Sequence, residues 1–336
     1  MGTSNRMSNE KNDQEKNPFI SQFAVVLLRL FILDGRLRSG WRVGLYLALY
    51  VAGLLIAQLP VAILYVAYLT LQGVAGPSDL LAAMGPDRLP LWLYLAFEIA
   101  ELLMLLPLTF AFRRLLDRRD LASLGFRRRQ GWVLDLLLGL ILGGLQMLAI
   151  LGIEWAGGWI SVGLPDGAGL ARGLASGGVA AALFVLVALS EELIFRGYLL
   201  ANLQEGIGAV PALVLTSLLF GLFHILNPNV RLLALVNIAL AGLVMGYAWL
   251  ETGNLWLPMA YHFSWNFFQG PIFALPVSGV RYGGLLAVAD RGAAPLVTGA
   301  AFGPEGGLIG TLALLSAFPI LRLWGRWRRK SLAGQS

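Results

Sequence analysis

Cysteine does not occur in the 336-residue chain, which excludes disulfides, thiolate nucleophiles and cysteine-ligated zinc or iron–sulfur centres. Charge is scarce as well: 13% of residues are charged against 57% hydrophobic, where a soluble protein carries about twice that charged share. Histidine occurs only twice, as His224 and His262. The net charge of +6 does not point to nucleic acid, because the basic residues gather in short clusters beside apolar runs, as the positive-inside rule expects. With a mean hydropathy of +0.72, the chain reads as a multi-pass integral membrane protein whose surroundings are the lipid bilayer. Arginine in excess over lysine, with abundant Ala, Gly and Leu, suggests a bacterial origin and hence the bacterial cytoplasmic membrane.

What remains is mostly apolar run. Residues 1–18 are polar, lack the basic-then-apolar order of a signal peptide, and read as a disordered cytoplasmic tail. Phe19 to Leu33 is apolar but too short to span; with Arg36, Arg38 and Arg42 behind it, residues 19–42 read as an interfacial basic helix and linker. Eight later runs are long enough to cross a hydrocarbon core roughly 30 Å thick. They fall at 43–71, 89–112, 132–153, 176–201, 208–225, 232–250, 255–275 and 307–324. The expected fold is therefore an all-α, polytopic helical bundle of about eight transmembrane helices. Three basic clusters (Arg36, Arg38 and Arg42; Arg113 to Arg129; Arg322 to Lys330) land on one side if the span count is even, which makes both termini cytoplasmic. Gly139/Gly143 and Gly242/Gly246 form small-xxx-small pairs, read as close helix packing within the bundle rather than a dimer face.

Ionisable groups in a bilayer cost roughly 2.5–3.5 kcal/mol each at mid-helix and usually face an interior cavity. The fourth run carries Glu191, Glu192 and Arg196. Glu192 and Arg196 are four apart with the acid first, the favourable order for an ion pair on one helix face. Glu191 lies about 100° further round and is left as a free base. The fifth run ends with Phe220 and His224 four apart, and the seventh places His262 and Asn266 at the same spacing. An imidazole beside an amide suits the holding of an oxyanion.

The order Glu-Glu-x-x-x-Arg, Phe-x-x-x-His, His-x-x-x-Asn on successive membrane helices resembles the CAAX-protease and bacteriocin-processing (CPBP, or Abi) family of intramembrane proteases. The resemblance spans about residues 176–275. It makes that segment the catalytic core, 43–175 accessory helices 1–3, 276–306 an extracytoplasmic loop, and 307–336 a last helix with a basic tail. It implies an endopeptidase acting on a peptide or membrane-associated protein. Glu191 and His224 would activate water, while His262 and Asn266 would hold the tetrahedral oxyanion. No cofactor is required by this reading. A zinc-dependent version would use Glu191, His224 and His262 as ligands with water in the fourth position.

One geometric expectation runs against a compact site. Counted from a turn near Glu205, His224 lies a turn deeper than Glu191 and His262 lies shallower, a spread of roughly 10 Å at 1.5 Å per residue, which helix tilt could close. Other polar residues sit in the runs. Asp135 could meet the Arg127–Arg129 cluster, and Asn237 reads as an interhelical hydrogen bonder or a cavity residue. Glu98 and Glu101 have no assignment, and they keep open a proton-coupled transporter as a rival class. A non-catalytic membrane scaffold or regulator is the other.

Overall fold

The computed structural model describes residues 31–333, apart from positions 34, 75, 86, 87, 129, 293 and 294. The polar tail expected over 1–18, and the interfacial stretch as far as residue 30, lie outside the described residues. A two-stranded ribbon, β1 (Ile32–Leu33) with β2 (Arg36–Leu37), precedes the first long helix.

Leucine- and alanine-rich runs become helices because only helices satisfy their own backbone polar groups away from water. In order these are α1 (Ser39–Leu71), the short α2 (Pro77–Ala83), α3 (Leu91–Ala111) and α4 (Trp132–Ala156). Then come α5 (Gly167–Glu192), α6 (Ala209–Phe223), α7 (Leu232–Thr252), α8 (Trp256–Phe267) and α9 (Leu308–Ala333). Six helical stretches among the described residues are long and apolar enough to cross a bilayer: Ser39–Leu71, Leu91–Leu116, Trp132–Ala156, Gly167–Ile207, Leu232–Thr252 and Leu308–Ser331. The other two apolar runs form the shorter α6 and α8, of 15 and 12 residues. Apart from two short β-ribbons, the molecule is a helical, multi-pass membrane bundle. Its second ribbon pairs β3 (Ile160–Gly163) antiparallel with β4 (Ala287–Asp290) and ties the α4–α5 connection to the loop before α9.

α5 shapes the centre. Asp166 caps it by accepting from the Gly169 amide at 2.5 Å. The helix runs regularly to Glu192, widens to π geometry over Leu193–Leu200, and resumes over Ala201–Ile207. Gly208, at φ +85°, turns the chain into α6. Single π-turns inside α-helices recur at functional sites, and this one begins directly after the two glutamates.

The small-residue pairs pack helices within the bundle. A Cβ added at Gly139 would stand 2.5 Å from the Leu257 carbonyl oxygen, and one at Gly143 would stand 2.7 Å from that of Tyr261, so α8 lies directly on α4. Gly242 allows the same closeness to Ser217 of α6.

At one end of the bundle the basic clusters meet acidic partners. Asp117 is fully buried and receives Arg42, Arg113 at 2.9 Å and Asn202 at 3.2 Å, joining α1, α3 and the end of the α5 stretch. Asp135, also fully buried, takes Arg328 at 3.0 Å and Trp324 at 2.9 Å from α9. Its cationic partner among the described residues is thus in the third basic cluster, not the second as the sequence suggested. Removing one member of a buried ion pair costs about 3–5 kcal/mol, because the other charge stays buried and uncompensated. Asp117→Ala, which strips the buried Arg113 of its carboxylate and leaves Arg42 only Glu205, is expected to lower the melting temperature and folded yield in detergent sharply. A variant as stable as the parent would show that the cluster does not hold these helices together.

Candidate active site

Three helices deliver the site. α5 supplies Glu191 and Glu192 at its end, with Arg196 one turn on inside the π segment. α6 ends at Phe223, so His224 is its C-cap residue. α8 carries His262 and Asn266, one turn apart and both buried.

The expected depth mismatch does not arise. The α5–α6 turn is at Gly208, not near Glu205, so Glu191 precedes it by 17 residues and His224 follows it by 16. The two side chains therefore come out level. α8 makes up its difference by starting deep. Asn254 and Leu255 in its preceding turn are fully buried, the Leu255 amide donates to the Gly125 carbonyl at 2.9 Å, and Asn254 donates to Asp135 at 2.7 Å. The turn is sunk into the protein beneath the segment around Gly125.

All the residues read from the sequence as site residues come together. The Glu191 carboxylate stands 4.0 Å from His224 Nε2 and 3.9 Å from His262 Nε2. Its Oε2 is buried with no hydrogen-bond partner. These gaps are too long for direct hydrogen bonds and suit groups that share a third atom. Glu192 Oε1 accepts from Arg196 at 2.7 Å, the ion pair expected from the i, i+4 spacing. The same oxygen is 3.0 Å from His262 Nδ1, a contact that spacing alone could not reveal.

The second nitrogen of each imidazole is fixed by its surroundings. His224 Nδ1 lies 2.8 Å from the Phe220 carbonyl oxygen, which can only accept. Nδ1 therefore carries a proton, and Nε2 is the nitrogen turned towards Glu191. His262 Nδ1 likewise donates to Glu192. Phe220 does more than share a face with His224. Its ring packs 4.9 Å from that imidazole and 6.2 Å from His262, and the Arg196 guanidinium sits 4.4 Å above it. It separates the ion pair from the cavity and props both histidines.

The site lines a cavity of about 540 Å³. The Asn266 side chain faces it with no hydrogen-bond partner among the described residues, although the residue is only 7% exposed. Helices outside the motif segment build the opposite wall. Tyr50 of α1 donates to Glu101 at 2.8 Å, and Ser190 donates to Glu98 at 2.7 Å. The loop before α9 contributes Ser278, Tyr282 and Glu305. Asn237 does both things considered for it: it lines the cavity, and it accepts from Thr311 of α9 at 2.8 Å while donating to the Glu305 and Gly307 carbonyls at 2.8 and 3.0 Å. The sequence marked Glu98 and Glu101 as unusual but carried no signal that α3 would turn them towards Glu191.

For zinc, the donor types fit: two imidazole Nε2 atoms with engaged Nδ1 sides, and a carboxylate. The spacing does not fit. Separations of 3.9–4.0 Å exceed the roughly 3.3 Å between ligand atoms around a four-coordinate zinc. Among the described residues no cluster of three ligands reaches metal-binding geometry.

Comparison with protein families matches residues 175–268 to the Rce1-like model, described as type II CAAX prenyl endopeptidase Rce1-like. The matched segment contains Glu191 through Asn266 and overlaps nearly all of the stretch on which the motif resemblance rests. Neither curated proteins nor solved structures give a significant match.

Proposed function

From an Rce1-like segment over residues 175–268, we propose that the chain is an intramembrane endopeptidase that hydrolyses a peptide bond inside its cavity. The observation that carries this reading is the Glu191 carboxylate, buried on one oxygen, unpaired, and within 4.0 Å of both histidines. Glu191 and the Nε2 lone pair of His224 are two acceptors able to take the two hydrogens of one water molecule. As that water attacks the scissile carbonyl carbon, Glu191 takes its proton, and the carbonyl π electrons move onto oxygen. Asn266 donates to this oxyanion, as does His262 through Nε2 when doubly protonated, with Glu192 balancing its charge. Collapse of the intermediate breaks the C–N bond. Glu191 returns the proton to the leaving nitrogen, giving an amine and a carboxylic acid, and the acid then passes its proton to the amine.

In the membrane, α6 and α8 count as the fifth and seventh of eight segments, and both chain ends are cytoplasmic. Convergence of the basic clusters at one end, through Asp117 and Asp135, supports this arrangement. The membrane is the bacterial cytoplasmic one. The substrate class is a peptide precursor, a bacteriocin or a membrane-protein segment.

The test is peptide hydrolysis by purified protein in lipid nanodiscs. Cleavage is expected to persist after strong chelation, with less than stoichiometric zinc by elemental analysis. Chelator-sensitive cleavage restored by zinc would replace the water shared by Glu191 and His224 with a metal-bound one. Absence of cleavage for every peptide class would remove the peptidase reading.

A further inference from the structure

The proposed mechanism makes no use of Glu98 and Glu101. They lie three apart on one face of α3 and both line the cavity that holds Glu191. Each receives one hydroxyl, from Ser190 and from Tyr50, on Oε1. The other oxygen of each has no partner among the described residues. These two carboxylates share one cavity with Glu191, so their like charges disfavour one another. Among the described residues lining the cavity there are four glutamates and no lysine or arginine. The nearby arginine, Arg196, is spent on Glu192 and screened by the Phe220 ring.

Carboxylates gathered at membrane depth without a cation stay ionised only when something positive joins them; otherwise they take up protons. A second observation shows that the cavity is built to receive a ligand: the Asn266 amide, which the proposed reaction uses for the oxyanion, is more than nine-tenths buried and faces it without a partner among the described residues. We propose that Glu98 and Glu101 form a subsite for a cationic group of the peptide substrate, an ammonium or guanidinium, held next to the scissile bond. Ser190 links the two places, since it precedes Glu191 in the chain and donates to Glu98. The proposal rests on the peptidase reading for its substrate class, and it names what that substrate carries. Two sources share this chemistry, a lysine or arginine side chain and a free α-amine.

The test measures equilibrium binding of fluorescent peptides to purified Glu191→Gln protein, which removes turnover from the measurement. One peptide sequence is scanned with Lys, Arg, Gln or Glu at each position, with the N-terminus free or acetylated. Cationic peptides are expected to bind at least about tenfold more tightly than their Gln counterparts, a factor of ten being one step in affinity at 1.4 kcal/mol. That ratio should fall to near one in protein that also carries Glu98→Gln and Glu101→Gln, and Glu101→Lys should invert it in favour of Glu peptides. If acetylation alone abolishes the preference, the α-amine is the bound cation; if only the Lys and Arg scan responds, the side chain is. Where the multiple variant does not fold, the single Gln substitutions read the same ratio. Equal binding of cationic and neutral peptides, or a preference that survives the substitutions, overturns the subsite. The peptidase reading fails separately: wild-type protein that binds cationic peptides selectively but cleaves none would keep the subsite and lose the reaction.

Discussion

Glu191→Gln protein is expected to fold, bind peptide and fail to cleave it, with a loss of about 10²–10⁴-fold or more. The substitution keeps the shape of the side chain and one hydrogen-bonding oxygen, but it removes the carboxylate that, among the described residues, faces both histidines. Among the described residues Glu191 is in no ion pair with a lysine or arginine; its neighbours are the two imidazoles at 3.9 and 4.0 Å. Its charge therefore contributes little to holding the helices together, and melting should be nearly unchanged. In cells, a strain carrying Glu191→Ala should accumulate uncleaved precursor when its peptidome is compared with wild type. Full activity of the purified glutamine variant would sink the mechanism.

Glu192→Gln is expected to act through both stability and activity. Glu192 Oε1 holds Arg196 at 2.7 Å and His262 at 3.0 Å, and neither Glu192 nor Arg196 is appreciably exposed. Neutralising the acid strands a buried guanidinium, at about 3–5 kcal/mol for a broken buried pair. Folded yield and melting temperature should drop accordingly. The protein that does fold should also lose activity, because His262 no longer has an anion behind it. A second substitution separates the effects. Adding Arg196→Met removes the stranded charge and should restore stability, since apolar replacement of a buried pair is often neutral or better, while leaving activity low. Recovery of activity together with stability would show that Glu192 is only a structural partner of Arg196.

These two glutamates also show how far the sequence could be read. The pairing of Glu192 with Arg196 was visible in their i, i+4 spacing, because helix periodicity is local and a bilayer leaves few alternatives to helix. The positions of the apolar runs were legible for the same reason. The contact of Glu192 with His262 was not, since it joins α5 to α8 and depends on how deep α8 starts. That depth is set by the burial of Asn254 and Leu255 beneath Gly125, a tertiary fact without a local signature. The pairing of Ile160–Gly163 with Ala287–Asp290 was equally hidden: two four-residue strands separated by most of the core carry too little pattern to announce each other. Asp117 could have been suspected as the acid set within a run of arginines. Positive-inside counting treats such a run as a topology signal and passes over the acid inside it.

The hairpin of α5 and α6 has a consequence for how the protein tolerates different lipids. Glu191 and His224 are registered by nearly equal arms on either side of Gly208, an internal ruler that makes no reference to the membrane surface. Should a thicker or thinner bilayer tilt the bundle, both arms move together and the carboxylate stays opposite the imidazole. The same ruler is brittle to changes in length. One residue added within α6 before Phe220 would carry His224 about 100° round its helix and 1.5 Å along it, out of register with a carboxylate that had not moved.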